Sequence, residues 1–421
     1  MATGLFTPVL NDRTRAPYFF NGRLLTGEAM TDEQRAQRVA HELLAQGLGD
    51  GVVSGLQVAL SIALNSVDRP VVTVKAGAAI SRLGDLLVLP EDTDVELVRP
   101  AHQSAAPQKI FDACKPPQQG TYVADAGVYL LTIAPIGVGN GLAPVSGLGT
   151  TTQSCNVKYR VDAVEFRLVE LPVAKEILDD SNRMRNRIAY ACFGVDETAF
   201  FARDPLGTAS EPQTLLDDVD GKTITGCDVP LAVLYWTATG GVLFLDMWSV
   251  RRRVTHSRAA TRFPALSDKR LAVSEAAMLQ FQEQIGGLRS TFGQAATLLA
   301  SDHFRFLPPV GVLPIATLAS TGLSVDAFFA GLTVGPQTNQ APAFVEGSRL
   351  QGIVHEALPY FPIDTRTLEL IWLYSIRENR QAIHQGVAGM SGPAVVFVTG
   401  HAPYRADAHF DVAKWDYATY V

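Results

Sequence analysis

The chain has 421 residues, 47% hydrophobic and 18% charged, which excludes an intrinsically disordered protein and leaves room for two or three domains with sizeable cores. Its net charge of −7 and pI near 5.6 provide no general attraction for a phosphate backbone, so a nucleic-acid partner is not expected. No segment reaches about 18 uninterrupted apolar residues, and the N-terminus lacks a charged start followed by a long apolar core, so neither membrane insertion nor export is expected.

The first informative stretch is "PYFFNGRLLTGEAMTDEQ", Pro17 to Gln34. Asn21-Gly22 is a tight-turn signal because both residues tolerate positive φ, and Phe19-Phe20 and Leu24-Leu25 flank it as apolar arms. Arg23 is expected to meet an acidic neighbour or the carbonyls of another subunit. On this reading Gly22→Val harms folding or assembly more than Arg23→Ala. Thr31 then heads a capping box with Gln34 and predicts a helix over 31–46. Ala36, Val39, Ala40, Leu43 and Leu44 recur along it at helical spacing, and Gly47 supplies a stop.

From about residue 51 to 170 short alternating or apolar runs, "GVVSGLQVALSI" to "YRVDAVEFRLVEL", are separated by Gly, Pro, Asn and Asp, as in a sandwich or barrel. The last run alternates imperfectly, predicting a bulge near Val164. Within this region "APIGVGNGLAPVSGLG" is glycine-rich after a strand. However, no helix and no Lys-Ser/Thr pair follow, so a flexible β–β loop is expected rather than a phosphate cradle. A helix over 174–192 ends at Gly194, and "VPLAVLYWTAT" and "GVLFLDMWSV" form a hairpin across Gly240-Gly241. The basic run Arg251 to Arg262 reads as a solvated edge or a helix start paired with acidic neighbours.

Met278, Phe281, Ile285, Leu288, Phe292, Ala295 and Leu299 follow at spacings of 3, 4, 3, 4, 3 and 4. This is the seam by which helices wrap one another, and it leaves two readings open: an inter-subunit bundle or packing within one chain. Gly286 and Gly287 interrupt it, each costing about 1 kcal/mol relative to Ala. "FLPPVGVLP" (Phe306 to Pro314) marks a boundary, Ser324 caps "VDAFFAGL", and the runs after Leu368 and Pro393 are strands. The fold class is therefore α+β. A β-sandwich or barrel-like domain with a few helices (1–255) precedes a helical middle with a long central helix (256–305) and a small C-terminal α/β domain (306–421).

The sequence offers little chemistry. His355-Glu356 begins a zinc-peptidase pattern, but Pro359 stands where the second His is needed. His401 and His409 near Asp407 read as a C-terminal surface loop, and Ser54 lacks a nucleophile-elbow setting. Cys114, Cys155, Cys192 and Cys227 form neither a CxxC pair nor a disulfide framework, and Cys192 reads as a small buried hydrophobe. No catalytic residue, cofactor or metal is expected. The interface candidates are Tyr18, Phe19, Phe20, Asn21, Gly22, Arg23, Leu24 and Leu25, with Met278, Phe281, Ile285, Leu288, Phe292 and Leu299 on the seam.

The residues Tyr18–Thr26 and Gly51–Val58 resemble an N-terminal pattern of phage-tail-like contractile injection systems, in which an aromatic-Asn-Gly-Arg-Leu-Leu-Thr turn leads through a helix into a "G-V-V-x-G-L-x-V" strand. "GVYLLTIAP" and "RNRIAYACFG" (Arg185 to Gly194) are softer matches. The order of parts is similar to the type VI secretion baseplate adaptor and to the shoulder of phage receptor-binding proteins, which usually assemble as trimers. The double glycine departs from that pattern. The resemblance implies a structural, baseplate-type protein that is assembled in the cytoplasm, contacts further copies of itself and other tail proteins, and enters a tail-like particle or virion. Two other readings stand beside it. One is a receptor- or carbohydrate-binding tail protein using Trp236, Trp248 and Trp372, for which core packing is the competing role. The other is a hydrolase assembled from distant residues.

Overall fold

A computed structural model describes residues 15–67, 70–97, 126–144, 155–195, 214–254, 268–292, 298–314, 324–335, 343–367, 369–377 and 394–402. Runs of strands are separated by helices along the chain, and the strands form several sheets, so the fold is mixed α+β.

Helix α1 (Gly27–Leu48) begins one turn earlier than the sequence suggests. Its N-cap is Thr26, whose hydroxyl accepts from the Ala29 amide at 3.1 Å, while Thr31 Oγ1 donates to the Gly27 carbonyl inside the helix. Glu28 in the first turn complements the helix dipole, and the helix passes Gly47 to end at Gly49, whose φ is 104°. Six strands follow: β1 (Gly51–Gly55), β2 (Val58–Leu60), β3 (Val71–Val74), β4 (Gly77–Ile80), β5 (Leu86–Leu89) and β6 (Thr93–Glu96). They make two antiparallel sheets, ordered β1-β4-β5 and β2-β3-β6.

A third antiparallel sheet, ordered β10-β9-β7-β8, is built from β7 (Gly127–Pro144), β8 (Cys155–Glu170), β9 (Val229–Thr237) and β10 (Gly241–Asp246). Its long hairpin corrects two expectations. The glycine-rich run is not a loop up to Pro144: Gly137 and Gly139 alternate with Ile136 and Val138 as strand residues and pair with Asp162 and Arg160. Nor is there a bulge at Val164, which pairs with Pro135 in unbroken register. The irregularity falls instead at Thr132, opposite Pro230, which has no amide hydrogen for the ladder. The β9–β10 hairpin forms as expected, with Gly241 at φ 66°.

The predicted helix over 174–192 is two pieces, α2 (Lys175–Leu178) and α3 (Met184–Phe193). Between them Asp180 accepts from the Arg183 and Arg187 side chains, a local contact that competes with continued helix. Helix α3 ends at Gly194 in the left-handed conformation, φ 77°. The run Val128–Ala134 of β7 is buried on both faces, as its largely apolar sequence requires, and its Thr132 hydroxyl donates to Asp228 at 3.1 Å. Tyr129, Leu131 and Ile133 pack with Val52, Val72, Leu87 and Trp236 against the two small sheets. Val128 and Leu130 pack on the other face with Ile188 and Cys192 of α3.

The rest of the chain has helix α4 (Asp268–Phe292), α5 (Ala300–His303), β11 (Phe306–Leu307), β12 (Val310–Pro314), α6 (Val325–Phe328), β13 (Thr333–Gly335), β14 (Ala343–Glu346), α7 (Leu350–Ala357), β15 (Ile363–Asp364), β16 (Leu370–Arg377) and β17 (Ala394–Thr399). Ser324 caps α6 through the Ala327 amide. The main sheet runs β12-β17-β16-β13, with β14 also paired to β16, and its parallel pairs are β13–β16 and β14–β16. One face packs on Phe281 and Ile285 of α4 and the other on α7, a layered arrangement of helices over a sheet.

Candidate docking surface

The segment Tyr18–Leu25 is a turn stabilised by its own residues. The Arg23 amide donates to the Phe20 carbonyl at 3.1 Å across Asn21-Gly22, and Gly22 has φ +90° with nothing within 4 Å of where a Cβ would stand. The Arg23 guanidinium donates to the Tyr18 carbonyl and sits 5.9 Å from the Phe19 ring centroid. Arg23 thus meets a carbonyl of its own turn. Tyr18, Phe19, Phe20, Leu24 and Leu25 are all exposed, Tyr18 and Leu24 at 81% and 82%.

Helix α1 continues this surface. Ala29 is its one buried residue, while Met30, Leu43, Leu44 and Leu48 are 48% to 70% exposed. The half-buried residues Glu33, Ala36, Val39, Glu42, Ala45 and Gln46 mark the side turned to the body. Polar contacts hold it there: Arg38 reaches Asp162 of β8 at 3.4 Å, and Gln46 Nε2 donates to the Leu83 carbonyl at 2.8 Å. Gly84, at φ +88°, lets the turn before β5 come against the helix, since a Cβ there would lie 2.2 Å from the Glu42 carbonyl oxygen. Burial, then Asp85, raises the Glu42 carboxyl above its ordinary pKa. Val53 of β1 and Leu86 and Val88 of β5 add exposed apolar side chains on strands flanking β4.

The seam on α4 has the opposite fate. Phe281 and Ile285 are buried inside the chain, with Phe281 ringed by Phe304 (5.0 Å), Phe397 (5.2 Å) and Phe328 (6.4 Å). Leu288 packs partly against the same core, and Met278 partly against the core on the other side of the sheet. Leu299 is half-buried at the N-cap of α5; the Phe292 side chain and Ala295 lie outside the described residues. Of the two readings of the seam, packing within one chain is the one that Phe281 and Ile285 adopt.

A polar junction that sequence reading missed lies beneath. Asn186 of α3 is wholly buried, accepts from the Arg305 and Phe306 amides at 2.8 and 3.0 Å, and donates to the Phe306 carbonyl at 3.0 Å. Arg185 bridges Asp246 of β10 at 3.0 Å and Glu283 of α4 at 2.7 Å. Gln280 of α4 donates to the same Asp246 and to Gln284, which reaches the His303 carbonyl. Burial raises the Glu283 carboxyl, with Arg185 opposing it. The available signals were the polar triplet Arg185-Asn186-Arg187 opening an otherwise apolar helix and two glutamines four residues apart on the seam helix.

The described part of the basic run divides, with Arg251 and Arg252 turning inward while exposed Arg253 pairs with an acidic neighbour, as one of the two expectations had it. Arg252 donates to the carbonyls of Trp248, Ser249 and Arg251, and burial pushes its pKa down to about 10. Arg251 donates to the Gly55 carbonyl, and Arg253 pairs with Glu275 at 3.0 Å; 255–262 lie outside the described residues. Trp236 is buried in the core, while Trp248 and Trp372 are half-buried, Trp372 against the α7 side of its sheet. His355 and Glu356 lie on α7, and Asp407 and His409 lie outside the described residues. Among the described residues no group of three His, Cys, Asp or Glu side chains could hold a metal ion. Cys192 is a buried free thiol, pushed up to about 12 by desolvation, and Cys155 is free and exposed. Cys227 is disulfide-bonded, which the cysteine spacing had not suggested. No helix among the described residues is long and apolar enough to cross a membrane. No protein-family model matches the chain, and no curated protein matches it at a significant level.

Proposed function

We propose that the chain is a structural subunit of a contractile tail or injection-system particle, seated in its baseplate and acting through protein–protein interfaces. One observation carries the reading: five large apolar side chains within Tyr18–Leu25 are exposed on a turn stabilised by its own arginine. Single exposed hydrophobes are ordinary, but five large ones within the eight residues of one turn form a local cluster, to which Met30, Leu44 and Leu48 of α1 add further exposed apolar side chains, and clustered apolar surface of that kind marks an interaction site. The same segment carries the resemblance to contractile injection systems. On this reading the partners are further copies of the chain, three in a trimer, and other tail or baseplate proteins. Neither a cofactor nor a catalytic step is involved, and assembly takes place in the cytoplasm.

The test is co-expression of the full chain with the genes adjacent to its own, followed by sedimentation and negative-stain microscopy. The chain is expected to travel with a large particle. A Phe20→Asp/Leu24→Asp variant is expected to leave the particle while keeping its circular dichroism spectrum. A wild-type chain that remains a stable monomer and joins no large assembly would overturn the reading.

A further inference from the structure

The face of α1 turned away from the body is made by Met30, Gln34, Gln37, His41, Leu44 and Leu48, all of them exposed. Their spacings are 4, 3, 4, 3 and 4, and at 3.6 residues per turn they fall within an arc of about 80°. This face bears the heptad seam that α4 buries internally, here left open along the length of the helix. We infer that the outward face of α1 pairs in parallel with the same face of a second copy of this chain. The inference rests on the proposed function only in taking the exposed surface as a working interface.

Two features select a second copy as the occupant. The seam carries no fixed charge, and its three central side chains are each both donor and acceptor: the Gln amides and the neutral His imidazole. Identical residues meeting in register can therefore satisfy one another, and polar residues at such positions hold register and orientation. The flanks add charge complementarity. With Gln34, His41 and Leu48 at a and Met30, Gln37 and Leu44 at d, Glu33 falls at g and Arg38 at the following e. Those positions face each other across a parallel pair, so each copy offers Glu33 to the other's Arg38. Within the chain Arg38 already approaches Asp162 at 3.4 Å, with 42% of its side chain exposed. Glu33 accepts from Gln37 Nε2 at 3.1 Å, so pairing would add to these contacts within the chain or exchange them. The corresponding g and e residues of the next heptad are Ala40 and Ala45, which introduce no repulsion.

The experiment uses the purified full chain and reads mass by analytical ultracentrifugation over a concentration series. The wild type is expected to self-associate, and Leu44→Glu/Leu48→Glu to raise the dissociation constant at least about a hundredfold without changing the circular dichroism spectrum. Glu33→Arg is expected to weaken association, and Glu33→Arg/Arg38→Glu combined with Asp162→Arg, which keeps an ion pair between α1 and β8, to restore it, a rescue that a different protein on this face would not give. In a Cys155→Ala background, Leu44→Cys is expected to cross-link copy to copy on mild oxidation. A monomeric wild type overturns the inference, as does an oligomer that survives Leu44→Glu/Leu48→Glu or a failed charge-swap rescue. A chain that joins a particle but does not pair through α1 refutes this inference alone. A chain that pairs through α1 but joins no particle refutes the proposed function alone.

Discussion

Helices α1 and α4 have the same 3-and-4 spacing of seam positions and opposite surroundings. In α4 the seam centres on Phe281 and Ile285, which are buried among Phe304, Phe328 and Phe397 of the same chain. In α1 the corresponding face is wholly exposed, and the side toward the body is mostly small or polar. The difference teaches that heptad spacing reports a helix face needing a partner and does not say where the partner is. Composition is more telling. A phenylalanine and an isoleucine suit a large internal core, whereas Gln34, Gln37 and His41 suit a narrow, registered contact.

The sharpest way to break this comparison is to truncate one residue on each helix. Phe281→Ala removes a ring from a closed aromatic cluster and is expected to cost roughly 3–5 kcal/mol of unfolding free energy. Leu44→Ala on the exposed face of α1 is expected to stay within about 0.5 kcal/mol for the isolated monomer. Urea unfolding at a concentration where the chain is monomeric measures both. Comparable costs at the two sites would erase the distinction.

Next in size is the junction on α3. Asn186→Leu keeps the branched shape, at a larger volume, but leaves the Arg305 and Phe306 amides and the Phe306 carbonyl without their partner. Buried polar groups left unmade cost about 1–3 kcal/mol each, and relaxation recovers part of that, so a total loss of roughly 2–4 kcal/mol is expected in urea unfolding. A substitution tolerated within about 0.5 kcal/mol would mean that the side chain is not what holds β11 to α3.

How much of this was legible in the sequence follows from how local each cause is. The α+β class, the β9–β10 hairpin, the Gly194 stop and the Ser324 cap all rest on a few adjacent residues, and all could be read. Thr31 misled because two threonines lie five residues apart, and Thr26 caps first. The glycine run misled because Gly137 and Gly139 are defined by a partner strand more than 20 residues away, not by their own preference for loops. Asn186 could not have been read as a junction residue, because its partners lie about 120 positions downstream. The α1 surface was only half legible. Its apolar residues were visible, but their outward direction depends on Arg38, Gln46 and Gly84 holding the other side to the body.

A smaller effect separates the two neighbours in the N-terminal turn. Gly22 has φ +90° in open space, so Gly22→Val meets no clash but is strained by its backbone conformation. Arg23→Ala removes the guanidinium contact to the Tyr18 carbonyl and leaves the turn's backbone bond from the Arg23 amide to the Phe20 carbonyl. Gly22→Val is therefore expected to reduce particle incorporation more than Arg23→Ala, with the thermal midpoint of the isolated chain unchanged in both. Full incorporation of Gly22→Val with loss of Arg23→Ala would make Arg23 a recognition residue and not a support for the turn.

The smallest effect expected is a pH dependence at His303, which lies on the junction side of α5. Burial lowers its pKa below the ordinary value of 6.5, against the opposing pull of Asp302, while its carbonyl accepts from Gln284. Because the folded pKa is depressed, the unfolded chain takes up the proton first as pH falls. The contribution of this group is thus present above about 6.5 and is lost as pH falls from there through the folded value. Urea unfolding midpoints measured from pH 7.5 to 5.5 should decline less steeply for His303→Gln than for the wild type. The difference should be modest, since the imidazole is partly open to solvent and screened. No corresponding change is expected from Leu44→Ala, which alters no titrating group and leaves the junction intact. Equal slopes for His303→Gln and the wild type would remove His303 from the acid response.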